Sequence, residues 1–130
     1  MRQLARIVPE THGDDVVVAR IEGEIDMSNA QPVGNRLRDL LTNRSVALIV
    51  DLGPTTYLDS SGIALLFALS DELRRRQLQL HLVLPERSQL TRVLRITGLH
   101  RAVPMHGTLE GALESASQTG GDVANRTSDG

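Results

Sequence analysis

The run Val46-Ala47-Leu48-Ile49-Val50, closed by Asp51 and stopped by Gly53-Pro54, constrains the fold more than any other stretch of the chain. Five consecutive apolar residues without polar alternation need cover on both faces, the pattern of a central strand in an α/β sheet. A strand is therefore expected at Val46 to Asp51. A helical segment from Ser60 to about Arg75 follows, and then Leu78, Leu80, Leu82 and Leu84 alternate with Gln79, His81 and Val83 as in a further strand. Strand, helix, strand implies a parallel crossover.

The flanking segments extend this pattern. Leu4 to Val8 and Val16 to Ile21 are β-prone runs around Thr11-His12-Gly13-Asp14 and read as an opening hairpin. Ala30, Val33, Leu37, Leu40 and Leu41 recur at helical spacing over Asn29 to Leu41, with Ser28 or Asn29 as cap and Pro32 in the first turn. Ser88 is placed to cap a third helix through Leu90, Val93 and Leu94, ended by Gly98. Val103 to Met105 reads as a short last strand, and Thr108 as the cap of a fourth helix carrying Leu109, Ala112, Leu113 and Ala116. From Gln118 to Gly130 the composition turns polar and small, so a disordered tail is expected behind a domain of residues 1–117.

At 130 residues the chain suits a single domain. Aromatics make up only 2%, so Leu, Ile, Val and Ala must fill its core. The absence of cysteine excludes disulfides and thiolate chemistry. All basic residues are arginine, yet the net charge of −2 argues against a large phosphate-binding footprint, and direct nucleic-acid binding is not expected. Arg74, Arg75 and Arg76 fit a helix C-terminus, where cations meet the negative end of the dipole. No run reaches the roughly 20 apolar residues of a membrane span. Met1 to Pro9 lacks the apolar core of a signal peptide, so a cytoplasmic, membrane-free protein is expected.

Catalysis is not expected. There is no Gly-x-Ser-x-Gly elbow, and His12, His81, His100 and His106 lie in segments with no obvious convergence. No histidine pair has i, i+4 spacing for a metal, and no Gly-Lys-Ser/Thr loop exists to hold ATP, so neither metal nor cofactor is expected.

Tyr57-Leu58-Asp59-Ser60-Ser61-Gly62-Ile63 places two hydroxyls and an acid where an extended segment becomes a helix. Unpaired N–H groups at a helix start donate to a capping oxygen, a Ser or Asp oxygen here, and the same donors suit a phosphate. The residues alone leave an ordinary cap and a modification site both open. The helix that follows is apolar all round from Ile63 to Leu69, more than one sheet face can cover. Leu66 and Phe67 are expected between the sheet and a neighbouring helix, while Leu65 and Leu69 fit either burial or a partner.

Gly23-Glu24-Ile25-Asp26 before the first helix, the strand Val46 to Leu52, the Asp59-Ser60-Ser61-Gly62 segment and the corner Thr97-Gly98-Leu99 occur in the order found in anti-sigma factor antagonists. Over about Val16 to Ala116 the chain resembles that family, whose members share the STAS fold. The resemblance implies an α/β STAS fold with a mixed sheet of about five strands and about four helices mainly on one face. It also implies partner switching in bacterial signalling. The unmodified protein binds an anti-sigma factor with a serine kinase fold and frees a sigma factor; the partner then phosphorylates Ser60, and a separate protein phosphatase resets it. Carried over by position, Asp59 precedes the acceptor, Ser61 follows it, Gly62 permits close backbone approach, and Glu24 and Asp26 lie near the same rim, where both also fit as solvated turn acids. The alternative is a ligand-sensing or scaffold STAS domain in which Ser60 is only a cap.

Because the tail holds almost no apolar side chain to bury, deletion of Gln118 to Gly130 should leave the melting temperature unchanged. A loss of several degrees in a thermal melt would mean that it docks.

Overall fold

The computed structural model describes residues 5–117 of the chain; the tail expected from Gln118 lies outside the described residues. Strand β1 (Ala5–His12) pairs antiparallel with β2 (Val16–Ile25) in register from Ala5 opposite Gly23 to His12 opposite Val16, so the opening hairpin forms as expected. Gly13 supplies the left-handed backbone of its turn, with φ of 64°.

Helix α1 (Ala30–Asp39) leads to β3 (Ala47–Asp51), whose five residues are all buried. The strand starts one residue later than expected, because Val46 lies at its open end and is 41% exposed. The first half of β2 pairs parallel with β3, from Val16 opposite Ala47 to Arg20 opposite Asp51. Its second half pairs with a strand that the sequence pattern does not signal, β4 (Thr55–Leu58). Gly53 and Pro54 end β3 without ending the sheet. Asp51 Oδ1 accepts a bond from Gly53 N–H at 2.8 Å, and Pro54 C=O accepts one from Gly23 N–H at 3.3 Å, so the chain steps over a bulge and resumes alongside β2.

After β4 come α2 (Ser60–Arg75), β5 (Gln79–Val83), α3 (Gln89–Thr97), a four-residue helix α4 (Leu99–Ala102) and β6 (Met105–His106). Residues 109–117 form a last helix, α5. The sheet runs β1-β2-β3-β5-β6, with β3, β5 and β6 parallel and β4 continuing along the β3 side of β2. Six strands and five helices among the described residues exceed the expected count by β4 and α4. The last strand is shifted because buried Val103 ends α4 and Pro104 contributes only its carbonyl, which accepts from Leu82 N–H at 3.0 Å.

Strand parity sorts the core into two layers. Val17, Ala19, Ile21, Leu48, Val50, Leu82 and their neighbours pack with side chains of α1 to α4 on one face. Val16, Val18, Ala47, Ile49 and Val83 meet Ala112 and Ala116 of α5 on the other. The helices therefore lie mainly on one face. Capping follows the sequence at Ser88, whose hydroxyl accepts from Leu90 N–H at 3.1 Å, and at Thr108, which accepts from Gly111 N–H at 3.1 Å. Gly98 takes φ of 84° where α3 gives way to α4. Arg74 and Arg76 close the C-terminal turn of α2 by pairing with Asp71 and Glu72.

Two histidines do converge, contrary to the sequence expectation. Parallel pairing of β5 with β6 sets Val83 opposite His106, and His81 Nδ1 lies 3.0 Å from His106 Nε2. The other nitrogen of His81 lies 2.8 Å from Gln79 Oε1. His81 is 3% exposed, and burial together with the neighbouring His106 lowers its pKa from 6.5 to about 4. Between these values the unfolded chain binds a proton that the folded chain refuses, so stability falls as pH drops from about 6.5 towards 4. Melting temperatures across this window should decline more steeply for the parent than for a His81→Gln variant; equal slopes would remove His81 as the cause.

Candidate functional site

The C-terminal ends of β2 and β4 converge on the start of α2, where one carboxylate organises the backbone. Asp59 is the N-cap, with extended φ and ψ of −96° and −171°. Its Oδ1 accepts from Ser61 N–H at 2.8 Å and from Gly62 N–H at 3.2 Å, and its Oδ2 accepts from Met27 N–H at 3.2 Å across the β2–α1 loop. Of the Ser and Asp oxygens available, it is thus Asp59 that caps the helix, not Ser60 as the scaffold alternative has it. Aspartate reaches three donors at once, two of them orphans of the helix start, which a serine hydroxyl could not do.

Ser60 becomes the first residue of α2, is exposed, and its hydroxyl has no hydrogen-bond partner among the described residues. Of the first-turn donors expected to suit a phosphate, the N–H groups of Ser61 and Gly62 serve Asp59 in the unmodified protein. A charge on Ser60 would add to the carboxylate beside it. Ser61 is half-buried in the same turn.

Gly62 is required by space. A Cβ there would lie 2.4 Å from Leu58 Cδ1 and 3.2 Å from Ile25 Cγ2, so the first turn of α2 rests directly on the ends of β2 and β4. Gly34 makes a similar approach in α1, where a Cβ would lie 2.6 Å from Leu65 Cδ1 of α2. Nothing local marks Gly34, since the requirement comes from the helix crossing.

The β2–α1 loop is built by polar side chains turned back on it. Asp26 N–H donates to Asn29 Oδ1 at 2.8 Å, Asn29 Nδ2 donates to Glu24 C=O at 2.9 Å, and Ser28 donates to Asp26 Oδ1 from its N–H at 2.9 Å and its hydroxyl at 2.6 Å. Asn29 stands at the N-cap position of α1 without capping the helix by its side chain. The structure thereby brings Asp26, Asp59, Ser60, Ser61 and Gly62 together. Glu24 joins them through its carbonyl. In register opposite Tyr57, it points to the sheet face away from buried Ile25 and Leu58.

Two residues of this rim are not among the site residues expected from the sequence. Met27 is 83% and Tyr57 49% exposed, and with Asp26, Ser28 and Asp59 they line a depression of about 220 Å³. Tyr57 offered a signal, being one of only two aromatic rings in the chain; Met27 offered none. In α2, Leu65, Leu66 and Leu69 are buried and Phe67 is half-buried, so its apolar girth is covered by the sheet, α1 and α4, leaving Ala64 and Ala68 outside.

Comparison with known proteins agrees with this architecture. The STAS domain family matches residues 6–112. The chain belongs to that family. This STAS domain is 28% identical over 110 residues to the anti-sigma-F factor antagonist RsfA of Mycobacterium tuberculosis, covering 80% of this chain and 82% of the relative. Among solved structures, an anti-sigma factor antagonist from Mycobacterium paratuberculosis superposes with a TM-score of 0.76 at 26% identity, covering 87% of this chain and 94% of that one. The anti-sigma factor antagonist SpoIIAA in its unphosphorylated form gives 0.71 at 20% identity over 87% and 97% of the two chains, and shares the fold.

Gly62→Ala should cost about 1–3 kcal/mol through overpacking, and Asp59→Ala about 0.5–2 kcal/mol through loss of the cap. Ser60→Ala should stay within about 0.5 kcal/mol as an exposed residue outside the cap. Urea unfolding of the three variants checks this order.

Proposed function

We propose that this STAS domain is an anti-sigma factor antagonist, a regulator without catalysis of its own. Unmodified, it binds an anti-sigma factor with a serine kinase fold and frees the sigma factor held there. That partner transfers the γ-phosphoryl group of ATP to Ser60 Oγ, leaving ADP, and a separate phosphatase removes it. The domain works in the cytoplasm by contact with proteins, touching neither nucleic acid nor membrane. Among the described residues no helix is long and apolar enough to cross a membrane.

The observation that carries this reading is the Ser60 hydroxyl, exposed and without a partner among the described residues on the first turn of α2, beside a carboxylate that holds the N–H groups of Ser61 and Gly62. Relatives at 26–28% identity that are named anti-sigma factor antagonists support it. A phosphate carries about −1.5 to −2 charges at neutral pH. With those donors serving Asp59, that charge reaches the partner surface little neutralised. Repulsion and desolvation of this kind cost a few kcal/mol, and each 1.4 kcal/mol is about tenfold in affinity, so a switch of about a hundredfold needs no refolding.

The depression between Met27 and Tyr57 favours one other reading, a domain that senses a small ligand or holds a scaffold partner there, with Ser60 unmodified. Incubation with ATP and the kinase-fold partner recovered on the wild-type chain separates the two. Ser60→Ala should take up no phosphate yet keep its affinity, Ser61→Ala should still be phosphorylated, and Ser60→Asp should bind about tenfold or more weakly. Phosphate on Ser60→Ala, or undiminished affinity of Ser60→Asp, would overturn the switch in favour of sensing.

A further inference from the structure

Twelve arginines lie among the described residues, and they divide sharply. Arg6, Arg20, Arg38, Arg44, Arg74 and Arg76 each make an ion pair. Of the six that make none among the described residues, four are exposed in one stretch, at Arg87, Arg92, Arg95 and Arg101. Residues 86–109 hold these four cations against the single acid Glu86, in a chain whose net charge is −2. The rest of the molecule is therefore clearly acidic, and α3 with its flanks forms the basic pole.

The same helix carries the other anomaly. Leu90 and Leu94 turn inward and are buried, whereas Ile96 is 76% and Val93 36% exposed. Spacings of three and four residues bring Arg92, Val93 and Ile96 onto one outward face, with Arg95 alongside. Lone exposed aliphatics are ordinary. Two adjacent ones ringed by unpaired guanidinium groups have the composition of an interface, where arginine is enriched because its planar fork meets carboxylates.

The position of α3 selects the partner. The helix packs against β4, the strand that carries Tyr57 and leads into Asp59 and Ser60. Among the described residues the most exposed large apolar side chains apart from Val46 are Met27 and Tyr57 beside Asp59, and Val93 and Ile96 on α3, which packs on the Leu58 face of β4 while Tyr57 points to the other. We infer that the outer face of α3 is a second contact surface for the anti-sigma factor, taking a patch of that protein with an apolar centre and an acidic surround. The inference rests on the proposed function. It also offers a source of negative charge against which a phosphate on Ser60 would act, since a partner acidic enough to hold Arg92 and Arg95 disfavours further anionic charge on the surface it meets. An anionic lipid surface is the less suited occupant, because two aliphatic side chains offer little area to insert.

The test is the affinity of the recovered kinase-fold partner for Arg92→Glu/Arg95→Glu, Arg92→Lys/Arg95→Lys and Ile96→Ser, with Ser60→Asp measured in parallel and folding verified by thermal melts. The double reversal should bind about tenfold or more weakly and depend less on salt than the parent. The lysine pair should bind more tightly than the glutamate pair, and Ile96→Ser more weakly than the parent. Saturating partner should still phosphorylate Ser60 in every α3 variant. Parental affinity of the double reversal and of Ile96→Ser would overturn the inference while leaving the Ser60 switch standing. Unchanged affinity of Ser60→Asp beside weakened α3 variants would instead sink the switch and keep the surface. Binding of the parent to vesicles of equal parts phosphatidylcholine and phosphatidylglycerol, abolished by the reversal, or a dimer in sedimentation broken by Ile96→Ser, would give the face to lipid or to a second copy and overturn the assignment to the anti-sigma factor.

Discussion

All five side chains of β3 are buried, so both sides of the sheet must be roofed, and the rest of the fold answers that constraint. Leu48 and Val50 face the layer built by α1 to α4, while Ala47 and Ile49 face α5. The asymmetry follows from side-chain size. Two alanines of α5, Ala112 and Ala116, lie over the small second layer, whereas leucines from four helices fill the first. With almost no aromatic residue available, close packing of branched aliphatics excludes water, which makes approaches such as Gly34 to Leu65 and Gly62 to Leu58 necessary.

A sheet ordered in this way delivers β2 and β4 side by side to the start of α2, and there the organisation passes from apolar packing to a single carboxylate. Asp59 binds two N–H groups of the helix and one of the β2–α1 loop, tying elements that are 32 residues apart. Ser60 is left exposed on the first turn of the helix, its hydroxyl without a hydrogen-bond partner among the described residues. The structural role of the turn thus falls to Asp59, and under the proposed function the regulatory one falls to its neighbour Ser60. The cap that holds the turn does not involve the Ser60 hydroxyl.

The distribution of charge gives the surface a direction. Ion pairs such as Arg38 with Glu72, at 2.7 Å between α1 and α2, are absorbed within the helical layer. Packed on β4, α3 presents arginines without ion-pair partners among the described residues and exposed aliphatics. Cations left unpaired in this way remain available to a partner's carboxylates, and their attraction falls with salt over the Debye length.

Much of this was legible in the sequence. The unbroken run before Asp51, the alternation from Leu78 to Leu84, the caps at Ser88 and Thr108 and the left-handed Gly98 depend on neighbours within a few residues, and they determined strands and helices. The Asp59-Ser60-Ser61-Gly62 segment likewise announced a helix start. Contacts across the chain decided the remainder. Strand β4 exists because a bulge at Gly23 lets Thr55 to Leu58 rejoin β2, and the His81–His106 pair exists because β5 and β6 lie in register. Asp59 rather than Ser60 is the cap because only its longer, two-oxygen side chain also reaches Met27. Short-range patterns are written in consecutive residues; a bond between residues brought together by folding depends on the path of the whole chain, and that path is set by burying the core.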